Sequence, residues 1–315
     1  PGLAPLRPIR LSRNGEYLFT GLVTTFNQTY NMAGLTTYSI FAADNTYVLA
    51  QGFLPETVTT SQTSSARITA VLSAATYTGA TSLTATPTAT LGTYTIASGT
   101  NVNAYINRIQ QAEQGRIFCD RANVLTAQER IGTTLAAATA TFDDTGTATP
   151  YDSIFVEFDQ QSVVNNANIT IESGGTLQNA TNASSISQYF TQTESITDSL
   201  LSTDGQAATL ASYLLYPIPK PRFTSVSTTF ASLSDAQKTA LAPIEIGDTV
   251  SVTKTFSSGT PLSVTQDLSV EGIDHVIDMN TGHRMTLWTS ATTVLNVLVL
   301  DDITYGIINS TNALG

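Results

Sequence analysis

A chain of 315 residues with 41% hydrophobic and only 12% charged side chains can build two or three small cores and is too apolar for a disordered segment. Its 24 acidic against 13 basic residues, a net charge of -11, exclude sequence-independent duplex binding, which needs Lys and Arg to neutralise phosphates. The single cysteine, Cys119, excludes a disulfide framework and any multi-cysteine metal site. The polar remainder is mostly Thr, Ser, Asn and Gln, which suits exposed sheet faces better than exposed helix faces, so the expected fold is mainly β with an α+β insert. No stretch approaches the roughly 18 apolar residues of a membrane helix, and no basic-then-apolar leader is seen. Because the sequence opens on Pro1 and runs almost at once into a strand pattern, a missing N-terminal portion is expected.

In chain order, residues 7–11, 16–26 and 35–42 read as a first strand group, with Asn14-Gly15 as a favoured hairpin turn. Alternation puts Leu18, Thr20, Leu22, Thr24 and Phe26 on one face and Phe19 and Val23 on the other, so both faces carry apolar residues. Asp44 is placed to cap a short helix, and Ser64 to cap another in which Ile68, Val71, Leu72 and Ala75 recur at helical spacing. Residues 76–99 are Thr, Ala, Ser and Gly with sparse anchors at Tyr77, Leu83, Leu91, Tyr94 and Ile96. They predict a weakly specified hairpin or an inserted loop. Asn101 caps a second helix carrying Val102, Tyr105, Ile106, Ile109 and Ala112, and Gly115 ends it. Residues 116–120 and 124–129 follow as a strand pair, in which Cys119 is expected to be a buried structural thiol. Residues 133–150 read as a linker or exposed loop.

Strands resume at 154–158 and 168–171, and 182–190 gives a short helical turn. Thr203-Asp204-Gly205-Gln206 has capping-box spacing before a helix carrying Ala207, Leu210, Ala211 and Leu214, which Pro217, Pro219 and Pro221 close. Residues 223–230 lead into a short helix at 234–241, and 246–288 form a meander of long strands. Gly272 interrupts the 265–277 strand and predicts a bulge or a close backbone approach. Trp288, between Leu287 and Thr289, is expected in the core.

Chemistry-bearing residues are few. His275 and His283 could face each other across the 278–282 turn, with Asp274 or Asp278 completing a metal cluster, yet polar hairpin residues account for them equally and the spacing matches no known site. No G-x-S-x-G, Walker-type loop or G-x-G-x-x-G occurs. The carboxylate pairs Glu157/Asp159 and Asp301/Asp302 are formally available for glycoside hydrolysis, but strand-end carboxylates explain them as well. The expectation is a chain that is not an enzyme, with no catalytic, cofactor-binding or metal-binding residue.

One resemblance goes further. Glu245-Ile246-Gly247-Asp248-Thr249-Val250, then Val270-Glu271-Gly272-Ile273-Asp274-His275, resembles a segment of minor tail proteins of long-tailed bacteriophages, the tail-hub group. The opening Arg7-Pro8-Ile9-Arg10, Leu18-Phe19-Thr20-Gly21 and Ala42-Ala43-Asp44, and the ending from Val299 to Gly306, are similar to the same group. That resemblance implies two hub-type β-barrel or sandwich domains with short helices. Residues 1–62 would be the first, 63–150 an α+β insert, 151–290 the second and 291–315 an extension. It further implies a homotrimeric ring at the distal tail tip of the virion, assembled in the host cytoplasm. The implied partners are the distal tail protein or tube ring, the tape measure protein and other minor tail or receptor-binding proteins, with no sequence-specific nucleic-acid binding. The alternative is a receptor-binding or carbohydrate-binding β-protein.

Overall fold

The computed structural model describes residues 4–291 except 33, 35, 131–135, 173, 220 and 259–261. Strands dominate, joined by short helices, as the Thr- and Ser-rich composition predicts. The chain divides into two compact units: Pro1–Arg130 with Asn168–Gln178 and Ser195–Ala211, and Ile131–Ala167 with Asn179–Glu194 and Ser212–Gly315.

In the first unit, strand Pro8–Arg13 pairs antiparallel with Glu16–Tyr30, which pairs in turn with Thr36–Ala43. Asn14 and Gly15 take φ of 50° and 92°, the left-handed pair that a two-residue hairpin turn requires. Simple alternation from Leu18 to Phe26 fails because Leu18 and Thr24 are extra residues. Leu11 pairs with Phe19 but Ser12 with Tyr17, and Ala42 pairs with Val23 but Phe41 with Thr25. Each bulge inverts the facing, so Leu18, Gly21 and Val23 are the buried positions.

Asp44 accepts the Thr46 N–H at 2.9 Å to start helix Asn45–Gln51, and Asn101 accepts the Ala104 N–H at 3.0 Å to start Val102–Glu113. Helix Ser64–Ala74 is capped by Thr63 rather than Ser64. Gln114, left-handed at φ 57°, ends the Val102–Glu113 helix one residue before Gly115. Strands Arg116–Cys119 and Leu125–Gln128 pair antiparallel as expected. Cys119 is half-buried, and burial pushes its thiol up to about 12, so it stays protonated and unreactive near neutrality.

Residues 76–99 are not a hairpin. Thr81–Leu83 pairs parallel with Leu125–Gln128, whereas Thr90–Leu91 pairs antiparallel with Gln62–Thr63 and Thr95–Ile96 antiparallel with Thr57–Val58. Two buried charges on the flanking helices hold the segment. Arg67, fully buried, donates from Nη1 to Tyr105 Oη at 2.9 Å and from Nη2 to the Thr60 and Gly92 carbonyls at 2.8 and 2.5 Å. Glu113 accepts from the Thr88 and Ala89 N–H groups at 2.7 and 2.8 Å and from the Ser64 hydroxyl at 2.7 Å. A segment with little apolar content of its own is thereby specified by charge-assisted bonds from elsewhere.

The second unit is built on a seven-stranded sheet in the order Thr149–Pro150, Ala140–Asp143, Thr249–Thr255, Ser263–Asp278, Gly282–Ala291, Arg222–Thr229, Ser153–Glu157. Residues 140–143, expected in a linker, pair parallel with Thr249–Thr255 and bury Phe142 to 1% exposure. The strand is only four residues long, too short to show periodicity. The inner face carries Phe142, Val226, Val250, Val252, Leu268, Val270, Met285 and Leu287, closed over by Phe230, Leu233 and Leu241. Ser234 caps helix Asp235–Leu241 through a reciprocal bond with Gln237. Asn165, wholly buried, ties Ser185, Phe190 and Gln192 together.

Candidate functional site

Three surface features follow from this chemistry. The first is the hairpin of Glu16–Tyr30 and Thr36–Ala43. Beyond Val23 none of its described residues is fully buried, and Tyr30, Tyr38 and Phe41 are 74%, 59% and 57% exposed. Phe26 and Tyr38 stack at 5.7 Å, and from Tyr17 to Ala43 the sequence has no charged residue. A neutral ribbon that is apolar on its surface gains little stability alone, and such patches mark interaction sites.

The second is the terminal strand of the seven-stranded sheet, Ser153–Glu157. It pairs only with Arg222–Thr229 among the described residues, leaving Phe155 and the following Phe158 61% and 67% exposed. An apolar edge without Lys or Pro invites a further strand or a cover.

The third is the outer face of that sheet. Trp288 lies on it at 52% exposure and is not in the core. Met285 and Leu287 take the inward positions of Gly282–Ala291, so Trp288 points out by alternation. The expected irregularity at Gly272 is present: Val270 pairs with Thr289 and Gly272 with Trp288, leaving Glu271 as the extra residue. Across the sheet this face is hydroxylic and acidic. Thr253 and Thr265 bond at 2.8 Å, Ser153 and Ser227 at 2.7 Å, Asp274 sits opposite Thr286, and Arg284 donates to Ser227 at 3.1 Å.

The two histidines do meet. His275 Nδ1 and His283 Nε2 are 3.0 Å apart, and His283 stacks on Phe230 with centroids 4.1 Å apart. The proposed third ligands do not join them. Asp278 accepts the Asn280 and Thr281 N–H groups at 2.6 and 2.8 Å, which hold its carboxyl below the usual range, and Asp274, paired with Thr286 and next to His275 in the strand, faces the opposite side of the sheet and is exposed. Among the described residues no group of three or more His, Cys, Asp or Glu is arranged to hold a metal. Asp159 accepts the Gln161 N–H at 2.9 Å as a turn cap, while Glu157 ends its strand opposite Arg222. Asp301 and Asp302 lie outside the described residues. No described helix is long and apolar enough to cross a membrane.

No protein-family model and no curated protein matches the chain. Solved structures do. It is similar to the tail protein from Neisseria meningitidis MC58, at 11% identity and TM-score 0.66 over 92% of this chain and 86% of that one. It is also similar to the 43 kDa tail protein of prophage MuSo2 from Shewanella oneidensis, at 12% identity and TM-score 0.65 over 92% and 85%. A third is the E. coli type VI secretion protein c3393, described as structurally similar to the T4 tail proteins gp27 and gp5, at 11% identity and TM-score 0.51 over 92% and 66%. The fold is therefore that of phage tail proteins. At these identities the likeness concerns the fold and carries no residue-level site with it.

Proposed function

We propose that this chain is a structural tail component that assembles as a homotrimeric hub ring at the distal tip of a phage-type tail. In that reading it closes the tube, contacts the tube ring or distal tail protein, the tape measure protein and host-recognition proteins, and catalyses nothing. The observation that carries it is likeness to tail proteins over 92% of the chain. The uncharged 17–43 hairpin and the uncovered 153–157 edge support assembly, since both present apolar surface that an isolated subunit leaves wet. Permanent rings bury more than about 1,600 Å² per pair. Mass photometry at micromolar concentration, with negative-stain imaging, tests the ring: trimers of ring shape are expected, and a stable monomer contradicts it.

The exposed indole of Trp288 favours a second reading, a receptor-binding or carbohydrate-binding β-protein, because a half-open aromatic ring among hydroxyl groups can stack on a sugar. Glycan-array binding that is lost in Trp288→Ala, by a protein that forms no ring, supports this reading over the first.

A further inference from the structure

At the tip of the Ser263–Asp278 and Gly282–Ala291 hairpin the histidine pair adds a side-chain contact to the strand ladder and to the Asp278 turn bonds. His283 is 4% exposed and lies between the Phe230 ring and His275, whose centroid is 5.1 Å away. Beyond them Ile277 and Met279 are 52% and 102% exposed. A neutral imidazole offers one N–H and one lone pair, so across the 3.0 Å contact one ring donates and the other accepts. One added proton leaves that bond intact, as an imidazolium donor to a neutral acceptor. Two added protons leave hydrogens on both facing nitrogens and no acceptor.

We propose that His275 and His283 form a proton-operated latch, which docks the hairpin tip on the Phe230–Ser232 turn while either ring is neutral and releases it when both are charged. The charged groups around the pair do not cancel this effect. On the hairpin itself, Asp274 favours the charged form of His275, Asp278 is engaged by backbone N–H groups, and Arg284 is bonded to Ser227. The Phe230–Ser232 turn contributes no charge, and the adjoining strand places Thr228 and Thr229 opposite Met285 and Arg284. Burial outweighs Asp274 and holds His275 below its ordinary value. The unfolded chain therefore binds protons first as pH falls. The latch's stabilisation is complete above the ordinary imidazole value of about 6.5 and is lost as pH drops through the lower folded value. The two protons enter the pair in separate steps. Release moves Ile277 and Met279, an apolar contact point, away from the sheet.

An NMR titration of the full chain with labelled histidine, from about pH 7.5 to about 4.5, tests this while backbone amides of 228–234 and 273–285 are followed. Two separated, coupled proton steps are expected, with the tip amides moving in the lower one and their hydrogen exchange rising about tenfold relative to the rest of the sheet. His275→Gln keeps a neutral donor and acceptor on the strand, so its tip amides should stay still over the same range. Independent titration of both rings at the ordinary value overturns the latch, as does equal tip movement in wild type and His275→Gln. Should the variant not fold, the wild-type titration decides alone, because tip movement uncoupled from a second histidine step also overturns it.

Discussion

The indole of Trp288 lies against Gly272 on the neighbouring strand, with Cδ1 and Cβ 3.5 and 3.6 Å from where a glycine Cβ would stand. Those are ordinary contacts, so alanine fits there, whereas the γ carbons of valine press into the ring. Gly272→Ala is expected within about 0.5 kcal/mol of wild type. Gly272→Val is expected to lose about 1 kcal/mol or more despite valine's strand preference. Thermal midpoints and Trp288 fluorescence check this, and an unchanged Gly272→Val midpoint refutes it.

Arg67 joins Thr60, Gly92 and Tyr105 from a fully buried position. Arg67→Met leaves two carbonyls without a donor and is expected to cost about 3 kcal/mol. Glu113→Gln, which keeps the shape but can aim an NH2 at the Ala89 N–H, is expected to cost about 1 to 3 kcal/mol. Limited proteolysis should then cut first within residues 76–99. Cleavage elsewhere with that segment still protected contradicts the role given to these charges.

Tyr38 and Phe41 contribute exposed aromatic surface to the hairpin and nothing to the described core. Replacing each with Ser is expected to leave the thermal midpoint of dissociated subunits nearly unchanged while weakening assembly about tenfold per residue, or about 1.4 kcal/mol. Analytical ultracentrifugation separates these effects. A variant that assembles as wild type removes this hairpin from the interface.

The outer sheet face around Asp274, Thr286 and Ser227 is hydroxylic and acidic, and its Arg284 is bonded to Ser227. A duplex with one charge per about 1.7 Å finds no cationic path there. Duplex binding by the protein is expected to be negligible at low and high salt alike. A tight complex at low salt that dissolves steeply as salt rises is the contrary outcome.

Long strands and capped helices were legible because their signals are local. Asn14-Gly15, Asp44 and Asn101 act through neighbours two or three residues away, and the meander alternates over enough residues to show its period. What failed was what depends on distant partners. Phe142 is core only because Thr249–Thr255 lies beside it, and residues 76–99 are ordered by Arg67 and Glu113. The alternation argument for Leu18 to Phe26 broke at two bulges that nothing in those residues announces. Trp288 lies outside the expected core because strand parity outranks hydrophobicity: Leu287 and Trp288 cannot both face in. The meeting of His275 with His283 was foreseeable from hairpin register.

The parallel pairing of Ala140–Asp143 with Thr249–Thr255 also bears on how the molecule is made. Thr139 donates its N–H to the Thr249 carbonyl at 2.8 Å across 110 residues of chain. During synthesis the earlier strand can pair locally with Thr149–Pro150 but must wait for the whole intervening stretch before it meets Thr249–Thr255. Contacts of such long sequence separation form late and slowly. Until then Phe142 lacks the core it packs into, and Ser153–Glu157 waits likewise for Arg222–Thr229, so the nascent chain carries apolar strand segments of the kind that chaperones shield during synthesis.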